Sequence, residues 1–316
     1  MATELLEYHN VLLKSLFTEA IIEQQEPVAI NQLVSDFDNV TYHISTPEAK
    51  SKILVSMYIK SWKDLVKYGA QDIIKREYKD LVTETEQGYD FSLLIDLDKL
   101  PNSLEERMKL VADLSLLRRN TMAAPFELAF KKFQAMNKEA TQNGLDYYQP
   151  SAQDLEIMSI HYRDEESIFI QPNFDRVTVT FGTVFKDETD QVFGKVFLQE
   201  FVDARRRAIQ NAPQVLYSKQ PPLELRELIK KDAGNVGYVT FVLFPAHLTA
   251  QRQERCISHI QTFRDYFHYH IKCSKAYVHS RMRFRTDEFL KVLNRAKPEN
   301  IERERKTASG RRFAAR

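Results

Sequence analysis

RVTVTFGTVFK, residues 176–186, and KILVSMYIK, residues 52–60, are the two stretches on which the fold turns. Both are short, rich in β-branched and aromatic residues, and bounded by turn formers. In the later one Val177, Val179 and Phe181 alternate with polar neighbours, the period of a half-buried strand. Set one over the other and the surrounding chain runs in a similar order twice. A helical pattern follows each, SWKDLVKYGAQDIIKREYKDL (61–81) in the first half and residues 190–209 in the second. GYDFSLLIDLDKLP (88–101) then falls opposite APQVLYSKQPP (212–222). The offset stays near ~125 residues, the mark of an internal repeat. The order predicts an α+β protein: two related α/β units, each an antiparallel sheet with a helix packed on one face, then a long C-terminal helix.

Further strands are expected at VAINQLVSDF, VTYHIS, SIFIQP and GYVTFVLFP. Leu5, Leu6, Leu12, Leu13, Leu16, Phe17 and Ile21 predict a helix over 3–23, closed by Pro27. Two more helices are expected at 103–119 and 125–138. NGLDYYQPSAQD (143–154) loses periodicity and marks a boundary. The expected organisation is 1–145 and 146–248 for the two α/β units, 249–298 for a long helix plus a short one, and 299–316 for a basic tail.

The 316 residues suit about two domains, and 28% charged with 43% hydrophobic residues is a globular composition. Eight glycines argue against glycine-rich phosphate loops. The N-terminus has no basic-then-apolar signal pattern, and no apolar run reaches membrane-spanning length, so membrane insertion is not expected. Two cysteines do not make a disulfide framework, which favours a reducing cytoplasm. The net charge of +1 hides an asymmetry: residues 251–316 carry 17 Lys/Arg against 7 Asp/Glu, and the first 250 carry 28 against 37. A basic C-terminal segment on an acidic body predicts an acidic partner.

Read as one helix, Ala250–Arg283 places Cys256, Ile260, Phe263, Phe267, Ile271, Ser274 and Val278 within about 80° of arc. At roughly 50 Å such a helix exceeds what a small domain needs to cover its own sheet. Ile260, Phe263, Phe267, Ile271 and Val278 are therefore expected to hold a helix of a partner subunit. Thr286 or Asp287 can cap a second short helix with Phe289, Leu290, Val292 and Leu293 on its apolar side and Pro298 as its stop. Arg281, Arg283, Arg285, Lys291, Arg295 and Lys297 surround the joint and are the candidates for contact with an acidic surface.

No catalytic, cofactor or metal site is expected. His268 and His270 stand about 200° apart on a helix and cannot share an ion there, and Cys256 with His259 lacks a second ligand pair. Asp96 and Asp98 of LLIDLD, like the acids of DFD (36–38), could hold a divalent cation, but aspartates at a strand end are commonly turn formers. No GxSxG or HExxH arrangement occurs. An RNA-binding module using the basic C-terminal segment is the rival reading; it lacks the RNA-recognition consensus, and Phe263 and Phe267 on the apolar stripe could not stack on bases.

TFRDYFHYHIKCSKAYVHSRMR (262–283) followed by DEFLKVLNRAKP (287–298) resembles the C-terminal segment of the subunit 2 family of the actin-related protein 2/3 complex. DFDNVTYHIS, HYRDEES, DRVTVTFGTVFKDETD, GKVFLQEF, APQVLYSKQPPLEL and NVGYVTFVLFP extend the resemblance in family order from about residue 36 to 298. The resemblance implies a non-enzymatic scaffold subunit of a seven-subunit assembly that nucleates branched actin filaments. It also implies that the long helix pairs with the long helix of subunit 4, and that this core lies against the mother actin filament. Nucleic acid and cofactors are not implied as partners.

Overall fold

The computed structural model describes residues 6–23, 26–144, 148–207, 212–229 and 235–296. The chain divides into two units, Met1–Tyr269 and His270–Arg316. In the first unit, Asp38 and Asn39 take left-handed backbone angles, φ 61° and 56°, and turn β1 (Asn31–Asp36) back onto β2 (Val40–Ser45). β3 (Lys52–Ile59) pairs with β2. The chain then crosses through α2 (Trp62–Lys67) and α3 (Ala70–Tyr78), separated by Gly69 at φ 94°, which a side chain would strain. It forms the two-residue edge strand β4 (Val82–Thr83) and returns as β5 (Phe91–Asp96) between β3 and β4.

After α4 (Leu104–Ser115), α5 (Leu117–Thr121) and α6 (Ala124–Asn143), the same path is drawn again. β6 (Met158–Ile160), β7 (Ser167–Pro172) and β8 (Val177–Val184) run as neighbours. α7 (Glu188–Arg207) leads to the edge strand β9 (Gln214–Ser218), and β10 (Val236–Leu243) inserts beside β8. The orders β1-β2-β3-β5-β4 and β6-β7-β8-β10-β9 are the same connectivity, antiparallel throughout. The α+β architecture with a repeated unit is thus present.

The internal alignment read from the sequence needs a correction. β10, not β9, is the counterpart of β5, and β9 answers to β4. β4 is too short to show a pattern, so the apolar run of β5 looked like the first strand after the helix. The N-terminal helix also differs: α1 is Val11–Thr18, capped by Asn10, whose Oδ1 accepts from Leu13 N at 2.9 Å, and it runs into a π-helical turn over Glu19–Glu23. The proposed boundary at 145/146, the stop at Pro298 and the tail 299–316 lie outside the described residues. α6 packs on β7 and β8, so a helix that precedes the second sheet in sequence helps to cover it.

The last element, α8 (Gln253–Ala296), is one helix of 44 residues and about 66 Å. The expected break at Thr286–Asp287 does not occur. Thr286 Oγ1 donates to Met282 O at 3.0 Å, turning back onto the preceding turn as a helix-interior threonine does, not forward as a cap.

The core of the second sheet explains the first part of α8. Val177, Val179 and Phe181 of β8 share a face with Val239, Phe241 and Leu243 of β10. Phe263 of α8 sits on this face, its ring 5.5 Å from Phe181 and 4.6 Å edge-on from Phe241. Phe267, fully buried, meets Phe185 at 6.1 Å and Phe197 of α7 at 5.7 Å. Gly194 makes the approach of α7 possible: a Cβ there would lie 2.8 Å from Phe185 and 3.0 Å from Phe267.

Candidate docking surface

α8 reads as one apolar stripe, but its residues meet two different environments. Ile260 and Phe263 are buried along with Phe267, all within the aromatic and aliphatic packing of the first unit. These three, expected to hold a partner helix, are covered by the chain's own residues. The chain's own α7, β8 and β10 offered complementary rings, and burying each Phe against them is worth about 1.5–3 kcal/mol. Ile271, in the second unit, is also buried, and Val278 is half-buried.

Past these positions the environment changes. Met282 and Phe289 are each 63% exposed, Val292 is 59% exposed, and Tyr277, Phe284, Leu290 and Leu293 are also exposed. At 100° per residue, Val278, Met282, Phe289, Val292 and Leu293 fall within about 100° of arc, and the stripe that contains Phe267 continues through them. A run of large apolar side chains along one helix face is a docking feature when it is contiguous, unlike single exposed apolar residues. Tyr277, Val278, Arg281, Met282, Arg285 and Thr286 line a shallow hollow on this face.

The sequence reading did not include Met282 and Phe289 in the apolar stripe. The signal was available: Met282 lies about 20° beyond the stripe within Ala250–Arg283, and the same period carried past Arg283 includes Phe289. The cap reading at Thr286–Asp287 had assigned Phe289 to a separate helix.

The basic residues do not act as one patch. Arg281, Arg283, Arg285, Lys291 and Arg295 are all exposed, and Lys297 lies outside the described residues. Arg285 falls within the apolar arc and Arg281 at its edge, with the Arg281 guanidinium 6.0 Å from the Tyr277 ring centre. Arg283 and Lys291 point to the opposite side of the helix, and Lys291 Nζ reaches Glu288 at 2.9 Å. Arg295 is on the flank. The geometry therefore separates two cations that border the exposed apolar face from two that face away from it.

The other candidate chemistry resolves into structure. Asp96 Oδ1 accepts from Asp98 N at 3.1 Å, and its second oxygen is 3.3 Å from Lys99 Nζ, which is turn chemistry. Asp36 and Asp38 are engaged by arginines. Among the described residues no group of three or more His, Cys, Asp or Glu side chains is placed to hold a metal ion, and no helix is long and apolar enough to cross a membrane. Cys256 and Cys273 are both free thiols, and burial pushes the Cys256 thiol up to about 11.

The family described as "Arp2/3 complex, 34 kD subunit p34-Arc" matches residues 55–300. "Actin-related protein 2/3 complex subunit 2" of Schizosaccharomyces pombe is 53% identical over 313 residues, covering 98% of each chain. The protein of the same name from Dictyostelium discoideum is 38% identical over 313 residues, again covering 98% of each.

Proposed function

Because the chain belongs to the p34-Arc family of Arp2/3 complex subunits, we propose that it is a non-enzymatic scaffold subunit that pairs through α8 with subunit 4 and contacts the mother actin filament. That it is a subunit of an actin-nucleating cytoskeletal complex follows from the family; the pairing and the filament contact are the finer reading. The observation that carries the finer reading is the exposed apolar face of α8 through Met282, Phe289 and Val292. A helix with its own apolar stripe would bury that face, and acidic residues beside its stripe would meet Arg281 and Arg285. Arg283, Lys291 and Arg295, turned away from that stripe or flanking it, remain for the acidic filament, with Lys297 beyond them in sequence.

The test is co-expression with subunit 4. Met282→Asp with Phe289→Asp should abolish co-purification while the variant chain keeps its thermal unfolding midpoint. Retention of subunit 4 at normal yield would refute the assignment. Parallel sedimentation with actin filaments and filter binding with RNA separates the scaffold from the RNA-binding alternative.

A further inference from the structure

A second feature of the molecule lies away from the docking face: a cluster of charges buried in the first unit, where the two sheets meet α5 and the beginning of α8. Arg118 of α5 reaches Asp36 at the end of β1 (3.4 Å) and Asp38 in the β1–β2 turn (3.2 Å). Arg163, in the loop between β6 and β7, reaches Asp38 from the other side. Arg264 of α8 lies 2.7 Å from Glu166, which precedes β7, and 3.3 Å from Asp265. The Glu166 carboxylate also accepts from Val184 N at 3.0 Å and has His268 Nε2 4.0 Å away. Tyr42 of β2 donates to Asp36 at 3.2 Å, and the Tyr162 phenol faces Asp38 and Glu166.

Two properties of this cluster bear on protons. Four carboxylates, those of Asp36, Asp38, Glu166 and Asp265, share three guanidiniums, those of Arg118, Arg163 and Arg264. All four carboxylates are nearly sealed from solvent, and an excess negative charge in such a place is expensive. Asp38 and Asp265 moreover draw on the same nitrogen: Arg163 Nη2 donates to Asp38 Oδ1 at 3.1 Å and to Asp265 Oδ1 at 3.2 Å. Asp265 Oδ2 is buried with no hydrogen-bond partner among the described residues. Two carboxylates held around one donor favour a shared proton, as like charges close together do.

We propose that the Asp38–Arg163–Asp265 bridge is a proton-sensitive lock, which holds β1–β2, the β6–β7 loop and α8 together most tightly when one proton resides on its carboxylate pair. Burial, with Asp38 next in effect, raises the Asp265 carboxyl to about 6 against the opposing influence of Arg163, Arg264 and Arg118. The folded state therefore binds the proton more strongly than the unfolded chain. The stabilisation is complete below the ordinary aspartate range and is lost as pH rises through about 6.

The full chain should be unfolded in urea from pH 4 to 7.5, alongside Asp265→Asn, which cannot titrate there. Relative to the variant, the wild-type folding equilibrium constant should fall roughly fiftyfold between pH 4 and 6.5 and then level off, by linkage across about two pKa units of which pH 4 already forfeits part. Parallel profiles for the two chains would overturn the proposal. A purely structural role would lower the variant's stability by a constant amount and so leave the profiles parallel. If Asp265→Asn does not fold, carbon-13 carboxyl resonances of aspartate-labelled wild-type chain give the answer. One aspartate titrating near pH 6 supports the lock, and every aspartate titrating below pH 5 refutes it.

Discussion

Gln253–Tyr269 and His270–Ala296 are two parts of one helix with one periodicity, yet they do opposite things with it. In the first part the stripe ends in Phe263 and Phe267, shut into a cluster of rings from β8, β10 and α7. In the second, past the buried Ile271 and half-buried Val278, Met282, Phe289 and Val292 keep more than half their surface in water. The lesson is that an amphipathic pattern announces that a face will be covered and does not say by what. Where the same chain supplies complementary rings, the face becomes core; where it does not, the face stays exposed.

The strongest way to break this contrast is to make the same change in both parts. Phe267→Asp removes a ring whose loss alone costs about 3–5 kcal/mol and puts a carboxylate in its place, so the variant should fail to fold, read by thermal unfolding or solubility. Phe289→Asp should leave the unfolding free energy within about 0.5 kcal/mol of wild type, as exposed positions do, and weaken subunit 4 binding by more than tenfold. If Phe289→Asp unfolded the chain instead, the two parts of the helix would not differ in the way described.

Gly194→Val sharpens the first half of the contrast with a smaller effect. The added carbons meet Phe185 and Phe267 at distances that require α7 or α8 to shift, an overpacking cost of about 1–3 kcal/mol measurable by urea denaturation. The smallest effect belongs to the outward cations. Reversing Arg283 and Lys291 to Glu should leave complex assembly intact and reduce filament co-sedimentation several-fold at low salt. That difference should shrink as salt is added, because the contact is exposed and screened. Unchanged co-sedimentation would move the filament contact to another surface.

Much of this was legible in the amino-acid order. Val177, Val179 and Phe181 alternate because one side of β8 is core, and that alternation needs no tertiary knowledge to read. The repeat could be seen because two long central strands, β3 and β8, carry strong patterns. Its strand-by-strand alignment could not, because β4 has two residues and an edge strand that short leaves no periodic signal. Phe267 and Phe289 look alike from sequence: both are phenylalanines within about 40° of arc on one helix, and only the rings around the first distinguish them. The buried arginines were illegible for a related reason. Arg118, Arg163 and Arg264 are ordinary charges in their local contexts, and their partners lie up to 125 residues away in sequence.

Local periodicity, turn chemistry and the placement of charge thus determined the elements, the duplicated order and the length and amphipathic character of α8, since each depends on residues within a few turns of one another. Which stretch of α8 became core, which strands correspond between the sheets, and where four acids and three arginines converge were decided by the tertiary structure. The physical reason is that burial is a property of pairs of surfaces. A side chain's own neighbours in sequence set which way it faces, and only the folded chain sets what it faces.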